Sequence, residues 1–127
     1  MSGLYHTYCL LISNTNQDDL PSFGIYAFLE GEYDEAEEVL KESLEKNPED
    51  ISSLRYLAPT LLQLEKYDKA KEHYLQIKNL PFVNPKNGKA DVLREVLLSD
   101  ILRFERINLF SKESRTAVAE IKQLLIE

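Results

Sequence analysis

The chain has 127 residues, a formal net charge of -7 at pH 7 and an isoelectric point near 4.9. That length supports one compact domain with a real core and is too short for two independent ones. An apolar fraction of 43% and a charged fraction of 29% fit a chain that folds, while the acidic balance argues against phosphate backbones and anionic membranes, which need clustered Lys and Arg.

The charge is uneven. Residues 1–50 carry Lys41 and Lys46 against twelve carboxylates; this could steer a basic partner, although a solvated acidic helix face is the simpler explanation. Cys9 is the single cysteine, so no internal disulfide can form, and a reducing cytoplasm fits. The opening residues have no Lys or Arg ahead of a short, Tyr-rich apolar stretch and do not read as a signal peptide. No stretch approaches the ~20 apolar residues of a membrane span.

In chain order, the segment from Leu4 to Ile12 mixes Tyr and Thr with Leu, and a helix is expected there because the elements that follow are helical. From Pro21 to Glu30 nearly every residue is apolar. Gly31 then supplies a turn, and Ala36, Val39, Leu40, Ser43 and Leu44 recur at helical spacing. The second helix of this pair is amphipathic, with Glu37–Lys41 and Glu42–Lys46 at i,i+4 on its polar side. Asn47-Pro48 closes the unit, with Asn as a cap and Pro in the first turn of the next helix.

The same pattern returns 34 residues later: Gly31-Glu32-Tyr33-Asp34-Glu35-Ala36-Glu37-Glu38 aligns with Glu65-Lys66-Tyr67-Asp68-Lys69-Ala70-Lys71-Glu72. The offset also pairs Leu20 with Leu54, Phe23 with Leu57, Gly24 with Ala58, Ala27 with Leu61 and Leu40 with Tyr74. Small residues at Gly24, Ala27, Ala36, Ala58 and Ala70 suit close approach of paired helices. Beyond Leu80, two prolines and an Asn-Gly pair in Pro81–Gly88 mark a loop. A longer helix is expected next, its face traced by Ala90, Leu93, Leu97, Ile101, Phe104 and Asn108. After a break near Ser111, Ala117, Ile121, Leu124 and Leu125 trace another.

This spacing resembles the tetratricopeptide repeat, over residues 17–82. The resemblance rests on Leu20, Phe23, Gly24, Gly31, Tyr33, Ala36, Leu40 and Pro48 in the first unit and on Leu54, Leu57, Ala58, Tyr67, Ala70 and Tyr74 in the second. Ala27, Ser43 and Glu65 depart from the family pattern, Glu65 taking the place of the turn glycine. The resemblance implies an all-α fold, a right-handed superhelix of stacked helix-turn-helix units in a single domain. Its parts are an N-terminal segment (1–16), repeat 1 (17–50), repeat 2 (51–82), and a degenerate third repeat or capping helix pair (89–127). Ile101, Phe104, Ala117 and Ile121 keep the spacing of Leu54, Leu57, Ala70 and Tyr74, which suits either description of the last part.

Chemistry-bearing patterns are missing. His6, His73 and Cys9 have no metal-ligand spacing, and four glycines form no phosphate loop, so neither an enzyme, a metal nor a cofactor is expected. The acidic run Glu32–Glu38 reads as a solvated helix face, favoured near the N-terminus by the helix dipole. The resemblance implies instead a concave groove lined by the first helix of each unit. Its family places carry over as Pro21, Ile25, Phe28 and Leu29 in the first unit and Arg55, Pro59, Leu62 and Gln63 in the second. Pro21 and Ile25 stand where the family's carboxylate clamp has Lys and Asn, which turns the expectation toward an apolar peptide or amphipathic helix. The function so implied is a non-catalytic protein-interaction module, adaptor or chaperone-like. The alternative is a structural, self-associating protein, for instance a homodimer, whose groove is filled by its own N-terminal segment or by a second copy.

Overall fold

The computed structural model describes residues 19–84 and 86–127. The expectation of a helix over Leu4–Ile12, and of that segment filling the groove, lies outside the described residues. Among the described residues six α-helices follow in order, and the fold is all-α and tetratricopeptide-like: α1 (Leu20–Leu29), α2 (Tyr33–Lys46), α3 (Ile51–Gln63), α4 (Tyr67–Ile77), α5 (Leu93–Arg106) and α6 (Arg115–Ile126). The described residues gather into two compact units that divide between Leu64 and Glu65.

In the first unit α1, α2 and α3 all pack on one another. Asp34 and Glu35 lie in the first turn of α2 and Lys46 in its last, each favourable to the helix dipole. Gly24 is buried where α1 meets α2. A Cβ added there would overlap the Leu40 side chain at Cδ2 and Cγ, so a larger residue would have to displace Leu40. Ala36 and Leu40 are fully buried on the facing side. At the end of α1, Gly31 takes φ +81°, with Gly31 N–H donating to Phe28 O (3.0 Å) and Glu32 N–H to Ala27 O (2.8 Å), the paired bonds of a Schellman cap. Glu65, the residue at the corresponding place in the sequence repeat, also takes a left-handed backbone, at φ 61°, without a glycine's freedom.

The expected start of α3 at Asn47-Pro48 is corrected. Asp50 is the N-cap, accepting from Ser53 N–H (2.9 Å) and Ser53 Oγ (2.6 Å). Asn47 instead accepts from Glu49 N–H at 3.3 Å. A carboxylate at that distance satisfies an orphan donor of the first turn. Ser53 Oγ also lies 2.8 Å from Ser43 Oγ in a buried contact between α3 and α2. The hydroxyl that Ser43 brings to a place where the family favours Ala is thus paired.

In the second unit α6 packs against both α4 and α5. Lys71–Glu120 and Lys122–Glu105 ion pairs reach α6 from α4 and α5, and Lys78 Nζ donates to Leu124 O at 3.0 Å. Tyr74 is fully buried on α4; burial, and then the negative charge of Asp100, push its phenol above the ordinary range. Leu93, Leu97, Ile101, Phe104, Ala117, Ile121 and Leu125 are buried along the faces their spacing predicts.

Two expectations for this unit are corrected. The expected loop Pro81–Gly88 begins with a strand, β1 (Pro81–Val83), which pairs antiparallel with β2 (Ala90–Val92) at the expected start of the next helix, in the register Pro81↔Val92, Phe82↔Asp91, Val83↔Ala90. Gly88 at φ +68° permits the turn, and Val83 and Val92 supply β-branched residues. As a result α5 begins at Leu93 and leaves Ala90 exposed on a strand. Asn108 lies past the end of α5, exposed at φ 56°, and is no part of the helix face. A 3₁₀ turn at Lys112–Ser114 marks the expected break before α6.

Two opposite backbone changes check this packing. Gly24→Ala gains about 0.5–1 kcal/mol of helix propensity but overpacks Leu40 at a cost of about 1–3 kcal/mol, so it should lower stability. Glu65→Gly relieves a left-handed residue of about 1 kcal/mol and should raise it. Urea unfolding of the two variants measures both; a stabilised Gly24→Ala would show that α1 and α2 are not in close contact there.

Candidate interaction surface

The first unit is tied together by a run of rings. Phe28 of α1 is tilted against Tyr33 of α2 (centroids 5.6 Å, 59°) and edge-on to Tyr56 of α3 (5.8 Å, 67°). The Arg55 guanidinium stands over the Tyr56 ring at 5.2 Å, and Gln63 Nε2 donates to Tyr33 Oη at 3.0 Å. Three helices thus meet around one phenylalanine, which is 2% exposed. Geometries of this kind are worth about 0.5–1.5 kcal/mol per pair beyond the area buried.

The predicted groove residues therefore fall into three groups. Phe28, Pro59 and Leu62 are buried, Pro21, Ile25, Arg55 and Gln63 are half-buried, and Leu29 is 66% exposed. Pro59 has no N–H to offer the Arg55 carbonyl one turn earlier, and its ring is buried. Next to it, Thr60 Oγ1 donates to Tyr56 O at 2.7 Å. Tyr26, missed in the sequence, is 44% exposed and lies three residues before Leu29 on the same face of α1.

This arrangement has a floor of buried apolar groups, half-buried Arg55 and Gln63, and an open aromatic-aliphatic edge on α1. Residues 27–80 match the family model of the tetratricopeptide repeat. That stretch is similar to a tetratricopeptide repeat. No curated protein and no solved structure matches it. Tetratricopeptide repeats generally mediate protein–protein interaction. Among the described residues no group of three His, Cys, Asp or Glu side chains is placed to hold a metal ion, and no helix is long and apolar enough to cross a membrane.

The contrast between adjacent residues of α1 is testable in this repeat. Phe28→Asp buries a charge and removes the ring that joins three helices, and should cost several kcal/mol. Leu29→Gln, on the exposed side, should change stability by no more than about 0.5 kcal/mol. Thermal melts followed by helical ellipticity measure the difference; equal effects would show that α1 is not oriented as described.

Proposed function

We propose that the chain is a non-catalytic interaction module, adaptor or chaperone-like, that holds an apolar peptide or amphipathic helix of a partner protein along α1 and α3. The observation that carries this reading is the edge of α1. A single exposed leucine is ordinary, but Leu29 and Tyr26 adjoin half-buried Ile25 on a helix whose mean composition is apolar throughout. Covering a side chain such as Leu29 is worth about 1.5–3 kcal/mol. Half-buried Arg55 and Gln63 on α3 give the same surface polar groups, while Pro21 and Ile25 offer no charge to a terminal carboxylate. The partner is thus gripped through apolar side chains, with polar groups fixing its register. The single thiol, Cys9, suits action in a reducing cytoplasm.

A photo-crosslinking residue tests this. Benzoylphenylalanine placed at Leu29 should join a partner segment with apolar residues at i, i+3, i+4 spacing, whereas the same group at exposed Glu45 on α2 should not. Crosslinking at both positions alike, or only between copies of the chain, would contradict a partner on α1.

A further inference from the structure

The second unit contains an open cleft of about 400 Å³ between the end of α5 and one face of α6. Phe110, Val118 and Ala119 give it an apolar lining, and the Glu105–Lys122 ion pair (3.0 Å), Asn108 and Arg115 bring polar groups to it. Phe110 is held edge-on against Phe104 at 6.0 Å and 89°, and Val118 is buried at 3%, so the lining has fixed supports.

Glu105 follows Phe104 as Ala58 follows Leu57 and Gly24 follows Phe23, in the frame in which Ala117 and Ile121 answer to Ala70 and Tyr74. At that place in the first helix pair a Cβ on Gly24 would overlap the Leu40 side chain. The last pair carries a glutamate there, exposed and reaching out to Lys122. Asn108, at φ 56°, then ends α5, with Asn108 N–H on Glu105 O (3.0 Å) and Leu109 N–H on Phe104 O (2.9 Å). The exposed Glu105 and the helix end at Arg106 thus stand at the mouth of the cleft.

We propose that this cleft is a recognition site for a partner-protein segment in which an apolar side chain stands next to a carboxylate. Its volume is at the small end of the ~300–1,000 Å³ of ligand pockets, enough for one or two side chains and too little for a helix. Phe110, Val118 and Ala119 take the apolar side chain. The charge of the cleft decides its neighbour: Lys122 is neutralised by Glu105, whereas the exposed Arg115 guanidinium has no ion-pair or hydrogen-bond partner among the described residues. Arg115 also begins α6, where the helix dipole adds to its attraction for an anion. The proposal does not depend on the reading of α1.

Amide NMR of the full chain, titrated with acetyl-Leu-Glu-amide, acetyl-Leu-Gln-amide and acetyl-Leu-Lys-amide, tests it. The glutamate probe should move the amides of Asn108, Phe110, Val118 and Ala119 and bind roughly tenfold or more tightly than the glutamine probe, the ratio expected of a charge-assisted hydrogen bond. Arg115→Glu, a substitution that the dipole favours at this exposed position, should reverse the order so that the lysine probe binds best. Arg115→Gln should bring the three probes level. Absence of shifts at about 10 mM probe, equal affinities in the unaltered chain, or shifts confined to other residues would overturn the proposal. Self-association of the chain that Arg115→Glu abolishes would assign the cleft to a second copy and would overturn it as well.

Discussion

How closely two helices can pair is set by the smallest residue at their crossing, and in the first unit that residue is Gly24. With no Cβ between them, Leu40 lies directly on the α1 backbone, and the alanines that flank the crossing, Ala27 and Ala36, are fully buried. Close approach brings the aromatic residues of neighbouring helices within ring contact, so Phe28 reaches Tyr33 and Tyr56 together. The turn depends on the same economy of side chains, since Gly31 adopts a left-handed backbone that lets the chain reverse in three residues.

Polar groups in this unit follow the packing and do not drive it. Ser43 meets Ser53, Ser53 meets the Asp50 cap, and Gln63 meets the Tyr33 hydroxyl. Each places a hydroxyl or amide against a partner where an unpaired one would cost about 1–3 kcal/mol. With these groups satisfied and Phe28 enclosed, the large apolar residues of α1 that stay exposed are Tyr26 and Leu29. In the second unit the residue at the sequence place of Gly24 is Glu105, which is exposed and pairs with Lys122 beside the cleft between α5 and α6.

Most of this architecture is legible in the sequence because a 34-residue repeat writes the same constraint twice. Tyr33 and Tyr67, Ala36 and Ala70, Leu40 and Tyr74 open and fill corresponding helices, and Ala36, Leu40, Ala70 and Tyr74 are buried. The burial of Phe28 is harder to read, for a physical reason. In Leu20–Leu29 almost every residue is apolar, so no periodicity distinguishes the inward face from the outward one; the ring contacts with α2 and α3 identify Phe28 as inward. The hairpin escapes because strands of three residues carry no alternation to detect, although Asn87-Gly88 is a turn signal. Asp50 competes with Asn47 for the cap of α3, and local sequence does not rank them. The cleft at α5 and α6 had a visible cue in Glu105, a charged residue where the two earlier helix pairs have Gly24 and Ala58.

The central claim is that α1 closes inward on Phe28 and stays open outward at Tyr26 and Leu29. A soluble paramagnetic agent added to the free protein, with side-chain signals followed by NMR, tests it directly. The account predicts strong attenuation of the Leu29 methyl and Tyr26 ring signals and protection of the Phe28 ring; a protected Leu29 together with an attenuated Phe28 would contradict it.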